Sequence, residues 1–218
     1  LPRESKRSRI ERAGRIVERL AATYPDSRCA LDHDSPFQLL LATVLSAQCT
    51  DAMVNRVTPA LFERFATPEA LAAAPLDEIE EAIRRINYYR TKAKALKGLA
   101  AALVERHGGE VPRALDDLVR LPGVGRKTAN VVRGVAWGDA DGVVVDTHVK
   151  RIANLLRLTR SDDPVRIERE LLDLLPREER VMFTHRVIEH GRALCIARRP
   201  RCGECVLSDL CPSSTVTT

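Results

Sequence analysis

Cys195, Cys202, Cys205 and Cys211 fall within 17 consecutive residues, in the spacing Cys-x6-Cys-x2-Cys-x5-Cys, and no other feature narrows the fold of this chain as much. Structural zinc sites usually join two short Cys-x2–4-Cys arms across a longer loop. Here one compact segment supplies all four thiols, which suits a bulkier iron–sulfur cubane better than a single zinc ion. Such a segment is short, loop-rich and organised by its metal centre. Its first loop, Arg198-Arg199-Pro200-Arg201, reads as a basic surface finger stiffened by proline, or as charge that neutralises the thiolates. The other two cysteines, Cys29 and Cys49, stand alone.

Metal rather than disulfides presupposes a reducing compartment, and the rest of the chain agrees. Its 218 residues are 44% hydrophobic and 30% charged, enough for one large domain or two small ones. No stretch approaches the roughly 18 apolar residues of a membrane span. The start, Leu1-Pro2-Arg3-Glu4-Ser5-Lys6-Arg7, has no apolar run behind it, so no secretory signal is expected. The net charge of +5 is unevenly spread. Arg84, Arg85, Arg90, Lys92, Lys94 and Lys97 form one acid-free basic stretch, and Arg120, Arg126, Lys127 and Arg133 another. Both read either as phosphate-facing patches or as solvated helix faces.

The sequence patterns predict helices almost throughout. Ser35-Pro36 opens an apolar helix over 37–47, with Ser35 as N-cap and Pro36 in the first turn. Asp51 is placed to cap the next helix, and Thr67-Pro68 and Asp163-Pro164 repeat the cap-then-proline signal. A helix over 90–107 closes at Gly108-Gly109. Val149, Ile152, Ala153 and Leu156 mark an amphipathic helix with Asp146 as N-cap. Gly142-Val143-Val144-Val145 is extended, with no second strand to pair with. The expected class is all-α, with about ten helices.

Two further motifs carry chemistry. Leu121-Pro122-Gly123-Val124-Gly125-Arg126-Lys127-Thr128-Ala129 lies between a short helix predicted over 112–119 and a longer one running to Trp137. Helix, Pro-Gly-x-Gly turn and helix together make a phosphate grip: the glycines permit positive φ, and the second helix presents its N-terminal N–H groups. Leu121 and Val124 would anchor the turn. Val145-Asp146-Thr147-His148 follows, with Asp146 19 residues after Lys127. Asp146 is either a plain N-cap or a carboxylate facing a reaction centre, and its neighbours alone do not decide. His33, His107, His185 and His190 lack ligand spacing and read as surface or hydrogen-bonded core residues.

Together these residues resemble the endonuclease III family of DNA-repair glycosylases with abasic-site lyase activity. The resemblance runs from Ser35-Pro36-Phe37-Gln38-Leu39-Leu40 to Cys211, and the hairpin, Val-Asp-Thr-His and 6-2-5 cysteine spacing make it specific. It implies that Lys127 is the catalytic lysine and Asp146 the catalytic carboxylate. It further implies that Cys195, Cys202, Cys205 and Cys211 hold a [4Fe-4S] cluster. Gln48 would fill the space left by an extruded nucleotide. Gly123, Val124, Gly125, Arg126, Thr128, His148, Arg198 and Arg201 would meet DNA.

The implied fold is two helical domains flanking a DNA-binding cleft. One spans 29–139, a six-helix barrel carrying the hairpin over 121–129. The other joins 1–28 to 140–218 and holds the cluster loop over 195–211. The implied enzyme removes oxidised pyrimidines from double-stranded DNA and nicks abasic sites through a lysine Schiff base. It would act as a monomer, in the cytoplasm, at the nucleoid. One alternative is a monofunctional adenine or mismatch glycosylase of the same superfamily, which lacks the lysine. Another is a non-enzymatic iron–sulfur module for DNA binding or redox sensing. The chain departs from the family at Ile86-Asn87-Tyr88-Tyr89, where relatives usually read Ile-Gly-Leu-Tyr. Tyr88 then takes the place of a leucine that wedges into the base stack, unless it packs into the barrel instead.

Overall fold

Polar caps and prolines fix the helix boundaries in the computed structural model, which describes residues 4–216. Among these residues are α1 (Lys6–Thr23), α2 (Pro36–Ser46), α3 (Asp51–Arg64), α4 (Pro68–Ala73), α5 (Leu76–Ala82) and α6 (Tyr89–His107). There follow α7 (Leu115–Leu118), α8 (Arg126–Trp137), α9 (Thr147–Leu155), α10 (Pro164–Leu172) and α11 (Arg180–Ala193). Three 3-10 turns and no strand complete the inventory among the described residues. None of these helices is long and apolar enough to cross a membrane.

Ser35, Thr67, Asp146 and Asp163 each accept a first-turn N–H with the side chain, as the sequence predicts. Asp51 does not. The N-cap of α3 is Thr50, in extended backbone, whose hydroxyl accepts from the Met53 N–H. Asp51 stands one residue further in, where its charge favours the positive end of the helix. The helix before the hairpin is also shorter than 112–119. It is the single turn α7, because Ala114 is still extended at φ −69°, ψ 134°.

The chain divides into two compact units. The continuous one, Cys29–Gly138, contains α2 to α8. Its centre is α2, apolar on every face and therefore buried on every face, with Leu39, Leu40, Leu41 and Leu45 fully enclosed. Helices α3, α6 and α8 pack around it. Leu121, Val124, Ala129 and Val132 tie the hairpin and α8 into the same core.

The second unit is discontinuous, joining the described residues up to Arg28 with those from Asp139 onward. Ile16 and Leu20 of α1 meet Val149 and Ile152 of α9, Leu171 of α10 and Phe183 of α11 in its core. Leu207 and Leu210 of the cysteine segment join them. Helix α11 approaches α9 at Gly191, where a Cβ would lie 2.7 Å from His148 Cδ2 and 3.0 Å from Ile152 Cδ1. Only glycine allows that distance.

The first basic stretch is not a uniform phosphate patch. Lys92 is buried, and its ammonium donates to Leu45 O at 2.8 Å and Ala47 O at 2.6 Å. Lys97 donates to Ala74 O. Arg84 and Arg90 lie against Glu81 and Glu80. Two of its lysines therefore hold the unit together from inside.

Candidate nucleic-acid interface and cluster site

The hairpin is a turn pegged at both ends. Leu121 and Val124 are buried, and the Val124 N–H donates to Leu121 O at 3.1 Å. Gly123 between them has φ 77°, and a Cβ there would stand 3.0 Å from the Ala95 methyl. Conformation and space both require glycine. Gly125 does not take the positive φ expected of it: at φ −92°, ψ 171° it is the extended N-cap of α8, with open space where a Cβ would be. Its contribution is the lack of a side-chain cap at the N-terminus of α8, the end of a helix that attracts an anion. Arg126, Lys127 and Thr128 form that turn. Lys127 is exposed and has no hydrogen bond or ion pair among the described residues.

Asp146 is the N-cap of α9, but capping occupies only half of it. Oδ1 accepts from the Val149 N–H at 2.7 Å, while Oδ2 lies 3.3 Å from His148 Nδ1. The carboxyl side chain is 15% exposed. His148 is in turn held over Gly191.

Gln48 and Tyr88 are both left-handed, at φ 54° and φ 59°. For a non-glycine residue that conformation costs about 1–2 kcal/mol. Tyr88 is 66% exposed, so it does not pack into its unit. Tyr89 is half-buried, with the Arg90 guanidinium 5.4 Å from its ring centre. The sequence reading gave no role to Asn87, yet its side-chain amide donates to Gln48 O at 2.7 Å.

All four C-terminal cysteines stand outside disulfides and line one cavity of about 50 Å3, several times what a water needs, with Ile152, Leu155 and Leu156 among its walls. Burial pushes the Cys205 and Cys211 thiols up, and the neighbouring cysteines push them further. Cys202, beside the Thr215 hydroxyl and N–H, is held down. Four thiols spread around one apolar-walled space fit the larger cubane.

Arg151 Nη1 lies 3.6 Å from Cys195 Sγ, and the Leu207 N–H donates to Cys205 Sγ at 3.4 Å. His190 is buried as a core histidine, with Nδ1 3.0 Å from the Tyr24 hydroxyl and Nε2 3.6 Å from Cys205 Sγ. It is the hydrogen-bonded core residue that the sequence predicts, and it lines the same cavity as the cysteines. In the basic finger, Arg201 is forked onto Glu204, and Arg198 is exposed at φ 68°.

Residues 41–177 match the model of the HhH-GPD superfamily of base excision DNA repair proteins, and residues 195–211 match the iron–sulfur binding domain of endonuclease III. The chain is similar to endonuclease III of Synechocystis sp., 51% identical over 95% of this chain and 94% of that one. To the Bacillus subtilis enzyme it is 46% identical over 89% of each. The structure of a trapped covalent endonuclease III–DNA intermediate superposes with a TM-score of 0.88, at 46% identity, covering 94% of this chain and 96% of that one. The cofactor of the terminal segment is a [4Fe-4S] cluster. From the pegged hairpin to the terminal cysteines, the chain belongs to the endonuclease III family of the HhH-GPD superfamily of base excision DNA repair proteins.

Proposed function

We infer that this chain excises oxidised pyrimidines from double-stranded DNA as a monomer, with Lys127 as the nucleophile and Asp146 as the catalytic carboxylate. The protein is a bifunctional base-excision-repair glycosylase and abasic-site lyase. One observation carries the assignment of the lysine: an exposed, unpartnered amine in the first turn of a helix whose N-terminus is open to a phosphate. The first-turn N–H groups of α8 grip the DNA backbone, and Lys127 then reaches the adjacent sugar.

A base inside a duplex is out of reach, so the damaged nucleotide is extruded at an unstacking cost of about a few kcal/mol. Oδ2 of Asp146, not used by the cap, offsets positive charge developing on the sugar as the glycosidic bond breaks. The Lys127 amine attacks C1′ and forms a Schiff base, and β-elimination then breaks the strand on the 3′ side. A covalent enzyme–DNA intermediate in a relative 46% identical to this chain supports such a step. Gln48 and Tyr88 fill the gap left in the stack. Gly123, Val124, Gly125, Arg126 and Thr128 grip the backbone, while His148, Arg198 and Arg201 meet it elsewhere. Cys195, Cys202, Cys205 and Cys211 are the cluster ligands. When bound, the cluster supplies four metal–thiolate bonds that fix the terminal segment.

Borohydride trapping on abasic duplex DNA tests the central assignment. Lys127→Gln should give no covalent adduct while binding the same duplex close to normally. Full strand nicking by that variant would place the nucleophile elsewhere.

A further inference from the structure

Helix α2 ends at Ser46, where its cap residue Ala47 leaves the helical backbone at φ −57°, ψ 116°, so its last carbonyls look beyond the helix for donors. The segment that opens α6 provides them. The Lys92 ammonium takes Leu45 O and Ala47 O, and the Asn87 amide takes Gln48 O at 2.7 Å. The remaining carbonyl of the turn, Ser46 O, accepts from the Cys49 N–H at 3.0 Å. Between Asn87 and Lys92 sits Tyr88, whose own carbonyl accepts from the Lys92 N–H at 3.0 Å. The two exposed, left-handed residues Gln48 and Tyr88 thus hang from one bracket.

We propose that Asn87 is a positioning residue that joins the Gln48 and Tyr88 turns into a single rigid probe of the duplex. The proposal rests on the reading that these two residues fill the gap of an extruded nucleotide. Two independent side chains would each lose conformational freedom on entering the stack. A pre-joined pair has lost most of it already. Lys92 is buried and anchors the α2 side permanently, whereas Asn87 is exposed and its bond competes with water. That bond strengthens when DNA covers the turn and excludes solvent. Asn87 therefore acts when the probe is inserted, and has little to do when there is no duplex to probe.

The test compares Asn87→Ala, Gln48→Ala, Tyr88→Ala and the Asn87→Ala/Gln48→Ala double variant. Substrates are a thymine-glycol duplex and single-stranded abasic DNA, with 2-aminopurine opposite the lesion reporting insertion. Asn87→Ala should slow single-turnover excision from the duplex by about three- to tenfold, the worth of one hydrogen bond. It should weaken the 2-aminopurine signal and leave nicking of the single strand unchanged. A residue needed only for folding would depress both reactions. Because Asn87 holds the carbonyl of residue 48 and not its side chain, the double variant should lose less than the product of the two single losses, keeping only the part of the Asn87 effect that acts through Tyr88. Additive losses, or an Asn87→Ala protein at full duplex rate, overturn the proposal while leaving the gap-filling reading intact. Full duplex activity in both Gln48→Ala and Tyr88→Ala overturns that reading and the proposal with it.

Discussion

Asp146 uses its two oxygens differently. Oδ1 closes the start of α9 on the Val149 N–H, and Oδ2 is turned to His148. From sequence, cap and catalyst were rivals for this residue, because spacing says nothing about which oxygen is used. The geometry makes them compatible, and substitution can part them. Asparagine caps about as well as aspartate. Asp146→Asn should melt within a few degrees of the parent while losing about 100-fold or more in excision rate, as loss of a catalytic carboxylate implies. Asp146→Ala should lose the activity and, in addition, about 1 kcal/mol of stability. Thermal melts paired with single-turnover excision check both, and an active Asp146→Asn leaves the residue as a cap alone.

Helix ends were legible in the sequence wherever the code is local. Ser35, Thr67 and Asp163 cap as expected because a short polar side chain before a proline has few other ways to be satisfied. The one-residue slip from Asp51 to Thr50 arises because both residues cap well, and backbone conformation picks between them. Roles set by another element were not legible. Nothing near Lys92 or Lys97 says that they turn inward, since the carbonyls they serve belong to α2 and to the turn after α4. Asn87 was noticed as a departure, but its partner lies 39 residues away. Gly191 is of the same kind. A methyl there collides with His148 and Ile152, so those side chains or the helices that carry them must shift. Gly191→Ala should cost about 1–3 kcal/mol in a urea titration, the usual penalty of overpacking. It should also slow excision by displacing His148. Unchanged stability would mean that the helices adjust freely.

At the scale of the whole molecule, the fold class was legible because almost every segment carried helical signals and the one extended stretch had no mate. The two units keep separate cores, one built on α2 and one shared by α1, α9, α10, α11 and the cysteine segment. Loss of the cluster should therefore be felt unevenly. Leu207 and Leu210, on the segment the cluster fixes, belong to the second core only. In Cys205→Ser, or after iron chelation, amide exchange should accelerate across α1 and α9–α11 while α2–α6 keep their protection. Uniform acceleration over both units would show that they unfold as one. Iron analysis of protein prepared without oxygen should find iron and no stoichiometric zinc.

The discontinuity of the second unit also sets an order of events on the ribosome. Helix α1 is made before the other unit, but its core partners on α9, α10 and α11 lie more than a hundred residues downstream. At about 5–20 residues per second, α1 waits on the order of 10 s before they emerge. The unit built on α2 has its whole sequence available during that interval and can fold first. Ile16 and Leu20 remain exposed in the meantime, so α1 is the segment most vulnerable to aggregation while it waits. The four cysteines follow as well, so the unit that carries them is completed only after the whole of the other has been translated.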